Sequence, residues 1–214
     1  MNRLVSNPAH RHQLQQQPLN PVAQRILASA RQHFMAHGFR NVTMDELAAE
    51  IGMSKKTLYA HFPSKSVLVK SVLTQKLDEA ERTLEKILSE QAGDFIGALH
   101  QLAVELHKQT GEAQPVFVRD LSREEPALAD YLIARRRQIV EKTFVKLLAC
   151  GRDAGHVRDD IPIEFLVEIF LAILETIAVP KHLAACDLTL TECLNRILST
   201  FLKGVLTEKG RHNL

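Results

Sequence analysis

Residues 43–62, TMDELAAEIGMSKKTLYAHF, spell two short helices around a glycine turn. Thr43-Met44-Asp45-Glu46 is a capping box, in which a Thr side chain and a Glu three residues on each satisfy a backbone N–H of the other at a helix start. Val42 and Leu47 stand at the two positions of a hydrophobic staple. The helix that begins there ends at Ile51-Gly52, where glycine takes the left-handed conformation that closes a helix. After a three-residue turn Ser54 caps a second helix, Lys55 to Phe62, and Pro63-Ser64 ends that helix and caps the next. Leu47, Ala48, Ile51, Leu58 and Phe62 form an inner seam, which leaves Lys55, Lys56, Thr57, Tyr59 and His61 without a role in the core. Two helices joined this way, the second exposed and basic, form the helix-turn-helix whose second helix enters a major groove.

Charge at these helix starts is unusual. Lys55 and Lys56 lie in the first turn of the second helix and Lys65 in the first turn of the next. The positive end of the helix dipole favours Asp or Glu there, and each cation costs about 0.3–1 kcal/mol in isolation. A phosphate backbone reverses that sign, because lysines beside helix N-terminal N–H groups make an anion site. Thr, Tyr and His side chains can position further phosphates. The alternative is a solvated charged face.

Upstream, Asn20-Pro21 supplies an N-cap followed by Pro in the first turn, and the helix it starts places Val22, Ile26, Ala30 and Phe34 on one face until Gly38 stops it. Downstream, a long helix from about Lys65 to Glu90 carries Leu73, Leu77, Ala80, Leu84 and Ile87 at alternating spacings of four and three. At 1.5 Å per residue it spans roughly 40 Å, enough to bridge a small head and a second domain. Further helices are expected at about 94–110, 115–121, 126–154, 161–183 and 189–208, the last opened by a second capping box, Thr189-Leu190-Thr191-Glu192. No stretch alternates as a strand would. The fold class is all-α: a flexible basic tail over residues 1–20, a three-helix head over 21–75 and a helical body over 76–214.

A chain of 214 residues can bury a real core, and 45% hydrophobic with 24% charged residues is the range of a soluble globular protein. The net charge of +2 conceals a division. The first 76 residues hold 10 Lys/Arg against 3 Asp/Glu, net +7, and the remaining 138 hold 17 against 22, net −5. A basic head on a mildly acidic body suits a nucleic-acid-binding unit joined to a sensing or dimerising one. Cys150, Cys186 and Cys193 are odd in number and form no CxxC, so neither a disulfide framework nor a zinc ribbon is indicated and a reducing cytoplasm fits. Redox sensing by one of them stays open. The tail, with Arg3, His10, Arg11, His12 and glutamine-rich residues 13–17, lacks the apolar core of a signal peptide. The most apolar stretch, residues 161–179, is interrupted by Glu164, Glu168 and Glu175, which excludes a plain membrane span.

The stretch from Thr43 to Lys65, with Leu47-Ala48, Ile51-Gly52, Thr57-Leu58-Tyr59, His61-Phe62 and Lys65, resembles the tetracycline-repressor (TetR) family, and the specific match covers about residues 21–75. The resemblance implies an all-helical transcription regulator in which three N-terminal helices form a DNA-binding head. A long fourth helix follows, and then a variable helical domain that dimerises and binds a small molecule. By position, the resemblance implies that Thr43, Tyr59, His61 and Lys65 hold phosphates and that Lys55, Lys56 and Thr57 face base edges. Ala60 stands where some relatives carry a larger residue with an apolar base contact. On the same resemblance, ligand binding tilts the fourth helix and changes the separation of the two recognition helices, which weakens DNA binding.

The C-terminal region is read from its own pattern. Residues 163–179 are apolar nearly all round, which a helix tolerates when covered on both sides, here by its own core and by a partner chain. With 189–208 they are expected to form a four-helix bundle across a two-fold axis, setting two heads on palindromic half-sites of double-stranded DNA about one helical turn apart. An effector pocket for a small apolar or amphipathic molecule is expected among the middle helices. Its candidate lining is Phe95, Phe117, Phe144 and Phe170, with His100, Asp120, Glu175 or His182 as polar anchors. His33 and His37 are four apart, but Phe34 breaks the HExxH pattern; with no Walker, GxGxxG or GxSxG loop, no cofactor, metal or enzyme chemistry is indicated. Arg135-Arg136-Arg137 is a second anion contact or a solvated face. The expected function is a ligand-released repressor, with an effector-free regulator of the same fold and a helical enzyme as the alternatives.

Overall fold

The structure, a computed structural model, describes residues 20–111 and 115–212, so the basic tail expected over residues 1–20 lies, but for Asn20, outside the described residues. Helix α1 (Pro21–His37) opens with Asn20 accepting the Val22 N–H at 2.9 Å and with Pro21, which has no N–H to satisfy. Ala23, Ile26, Leu27, Ala30 and Phe34 form its buried face. Val22, expected on that face, is 38% exposed, because the side that meets the next helices is centred one residue further on.

Both halves of the Thr43–Glu46 capping box form at the start of α2 (Met44–Ile51), and the staple residues Val42 and Leu47 are buried. Gly52 closes α2 at φ +70°, a left-handed conformation that a side chain would strain. Ser54 caps α3 (Lys55–His61) and Ser64 caps α4 (Lys65–Glu90), whose 26 residues extend over about 39 Å.

The body comprises α5 (Phe95–Gly111), α6 (Pro115–Glu124), α7 (Pro126–Asp153), α8 (Ile163–Ile177), α9 (Pro180–Ala185), α10 (Leu190–Val205) and α11 (Glu208–His212). The single helix expected over 161–183 is therefore two. Pro180 has no N–H to donate to a continued α8, and it opens α9 instead. The helix expected over 189–208 stops at Val205, and the extended Leu206 pairs with Val157 in an isolated antiparallel bridge.

Apolar packing forms two cores joined by α4 and α7. The first lies around Phe34, Leu47, Leu58 and Leu68; α6 and the first half of α7 complete it with Phe117, Leu121, Leu128, Leu132 and Ile139. The second gathers Ile87 at the end of α4 with α5, the second half of α7, α8 and α10. Within it α7 and α5 meet at Gly151, where an added Cβ would lie 2.6 Å from the Phe95 ring and from Val157. Among the described residues no helix is long and apolar enough to cross a membrane.

Candidate nucleic-acid interface

Helix α3 is anchored beneath and bare above. Leu58 and Phe62 are buried against Leu47, Ala48 and Ile51, which is the seam the sequence pattern requires. Arg25 of α1 donates to the Ile51 carbonyl where α2 ends, so α1 grips the turn from behind and satisfies a carbonyl the helix itself cannot. On the opposite side Lys55, Lys56, Thr57, Tyr59 and Ala60 are exposed, and His61 is half-buried.

Two of the three lysines at helix starts have partners within the chain, which the sequence pattern did not reveal. Lys55 Nζ lies 2.6 Å from Asp45 of α2. Both side chains are exposed, so the pair contributes about 0.2–1 kcal/mol. Lys56 makes no ion pair among the described residues. Lys65 Nζ sits 4.2 Å over the Phe39 ring. Burial there pushes its ammonium below the usual lysine value, against the opposing pull of Glu124, Glu46, Asp120 and Glu125. Nearby, Arg40 lies 3.6 Å from Glu124 and the Ser66 hydroxyl donates to Glu125. The acidic end of α6 thus rests against the first turn of α4. Glu124-Glu125 before Pro126 marks a helix boundary in the sequence, but nothing local to it says which helix start it faces.

The hydroxyls are also engaged. Thr43 Oγ1 accepts the Glu46 N–H at 3.2 Å and donates to the Glu46 carboxylate at 2.9 Å. The Thr43 N–H donates to the same carboxylate, and these two bonds hold the Glu46 carboxyl below the usual range. A phosphate at Thr43 has to draw that hydroxyl proton away from Glu46. Thr57 Oγ1 lies 2.8 Å from Ser54 Oγ, within the cap of α3. His33 Nε2 lies 2.5 Å from Glu50 and links α1 to α2, a structural contact behind the motif.

The residues expected to line an effector pocket are dispersed. Phe144 and Phe170 do meet, with ring centroids 4.1 Å apart, and Phe201 joins them at 5.0 Å from Phe170. These rings fill space rather than enclose it. Phe95 is buried beneath His156, and Phe117 belongs to the first core, 6.5 Å from Phe34. Asp120 is near Lys65 and 3.8 Å from Arg119, whereas Glu175 is bound at 2.5 Å by Arg137. His182 is exposed on α9, and His100 is exposed on α5 beside a groove. Of the arginine run, Arg135 pairs with Asp78 and Glu81, and Arg137 with Glu168 and Glu175.

A helix-turn-helix of this build, on an all-α body, makes the chain a DNA-binding transcription regulator. Its residues 26–72 match the model of the N-terminal region of the bacterial regulatory proteins of the tetR family. The chain is 27% identical over 193 residues to the HTH-type transcriptional regulator UidR of Escherichia coli (strain K12), covering 87% of this chain and 94% of UidR. It is 23% identical over 155 residues to the HTH-type transcriptional repressor DhaR of Mycobacterium sp. (strain GP1), covering 71% of this chain and 78% of DhaR. A transcriptional regulator from Cytophaga hutchinsonii superposes with a TM-score of 0.69 over 88% of this chain and 100% of its own, at 18% identity, a likeness of fold. The family and these relatives are regulators rather than enzymes, which sets the helical-enzyme alternative aside.

Proposed function

We propose that the chain is a repressor that binds a palindromic operator as a homodimer and leaves it when a small apolar or amphipathic molecule binds the body. The observation that carries this reading is the exposed upper face of α3, rich in donors and set on a fully buried underside. Lys55, Lys56 and Thr57 face base edges; Thr43, Tyr59, His61 and Lys65 hold phosphates on either side, Lys55 and Lys65 exchanging their carboxylate neighbours for DNA. Residues 21–75 act as the reading head and 76–214 as the body. The homodimer forms through α8 and α10, where Phe165 and Ile169 of α8 point outward. The name of DhaR, a repressor, agrees with the direction of control proposed here.

The test is salt-titrated fluorescence anisotropy on a palindromic duplex selected from a random pool and on a random duplex. Lys65→Ala should weaken both and lower the salt slope by about one unit. Lys56→Ala should narrow the gap between the two duplexes. Unchanged binding in both variants would remove the assignments.

A further inference from the structure

Helices α5 and α10 do not close fully on each other. Between them runs a groove of about 340 Å³, within the range of small-molecule clefts. Its floor is Leu99, Ala103, Leu198 and Leu202, and its rim carries His100, Asn195, Ser199 and Lys203. No carboxylate lines it, and Lys203, exposed in the last turn of α10, makes no ion pair among the described residues. We propose that this groove binds an amphipathic monoanion, an alkyl carboxylate whose chain lies on the leucine floor and whose charge meets Lys203.

An apolar trough with a single cation selects for that chemistry. A cationic amphipath is repelled by Lys203, and a neutral one leaves the ammonium unanswered. A phosphate monoester carries more charge and more acceptor atoms than one lysine, an amide, a hydroxyl and an imidazole can match. The carboxylate takes the ammonium and one further donor from Asn195, Ser199 or His100, while the chain covers leucine surface that is otherwise wet. The inference rests on the ligand-release reading and gives it a route. The turn between α4 and α5 is tied by the Asp94 N–H to the Gln91 carbonyl and by the Gly97 N–H to Asp94 Oδ1, each at 2.9 Å. Ile87 of α4 shares a core with Leu99 and Leu202. A chain wedged between α5 and α10 therefore moves the far end of α4, whose near end carries Lys65.

The experiment titrates the full chain with sodium decanoate, with decylamine and with 1-decanol by calorimetry, and repeats the decanoate titration on Lys203→Met, Leu198→Trp and, outside the groove, Lys146→Met. Decanoate should bind more tightly than either analogue. Lys203→Met should lose at least fivefold in affinity, Leu198→Trp should lose binding by filling the groove, and Lys146→Met should match the parent. No decanoate binding, equal binding of decylamine, or an unchanged Lys203→Met overturns the proposal, and so does an equal loss in Lys146→Met. Thermal melts identify any variant that fails to fold, in which case the Lys203→Met result decides. Operator affinity measured with and without decanoate separates the two readings: binding that obeys the variants but leaves operator affinity unchanged upholds the groove and sinks release through it.

Discussion

Helices α3 and α8 each leave one face uncovered, and the two faces are opposite in chemistry. On α3 the bare residues are Lys55, Lys56, Thr57 and Tyr59. On α8, Leu166, Val167, Phe170 and Leu171 are buried while Phe165 is 58% exposed and Ile169 and Ile177 also face outward. Cations and hydroxyls are at home in water, so a lone chain tolerates the surface of α3. Apolar surface in water costs about 25 cal/mol per Å², so the same chain has reason to cover α8. In the proposed dimer the first face meets a polyanion and the second another apolar surface, so that a two-fold axis through the second would set the spacing of two copies of the first.

The contrast breaks first at its apolar side. Phe165→Glu combined with Ile169→Glu should convert the dimer to a monomer in sedimentation equilibrium. Affinity for a palindromic duplex should fall roughly a hundredfold or more, because the second head no longer binds at high effective concentration. A surviving dimer would take α8 out of the interface. A smaller effect sharpens the polar side: Glu124→Gln relieves Lys65 and Arg40 of a competing carboxylate and should tighten DNA binding roughly two- to fivefold in anisotropy. Unaltered or weaker binding would mean that α6 does not compete with phosphate. The smallest effect concerns the base of the head. The Glu46 carboxyl is held below the ordinary glutamate value in the folded chain, so its contribution to stability is complete above that value and is lost as pH falls through the lower folded one. Urea midpoints should therefore show a shallower acid loss in Glu46→Gln than in the parent, and parallel curves would contradict it.

What the sequence made legible was local. Capping boxes at Thr43 and Thr189, the caps at Ser54 and Ser64 and the turn at Gly52 each involve residues within four positions, and each lies where the pattern put it. The seam from Leu47 to Phe62 was legible for the same reason. Contacts between distant segments were not. Asp45 reaching Lys55, the carboxylates of α6 around Lys65 and the separation of Phe117 from Phe144 all depend on how helices cross, which spacing along one helix does not encode. The break at Pro180 depends on one residue inside an apolar run, and the helical pattern on either side hides it.

Phe117 and Phe34, 6.5 Å apart, together with the Arg40–Glu124 and Ser66–Glu125 contacts, fasten α6 and the start of α7 to the head. A minimal reader excised after Lys76 would therefore be wounded on its back: Phe34, Leu68 and Val72 would lose Phe117, Leu121 and Leu128 and meet solvent. Anyone transplanting this head onto another scaffold has to graft a surrogate for α6 with it, or repaint those positions with polar side chains before the fragment will stay in solution.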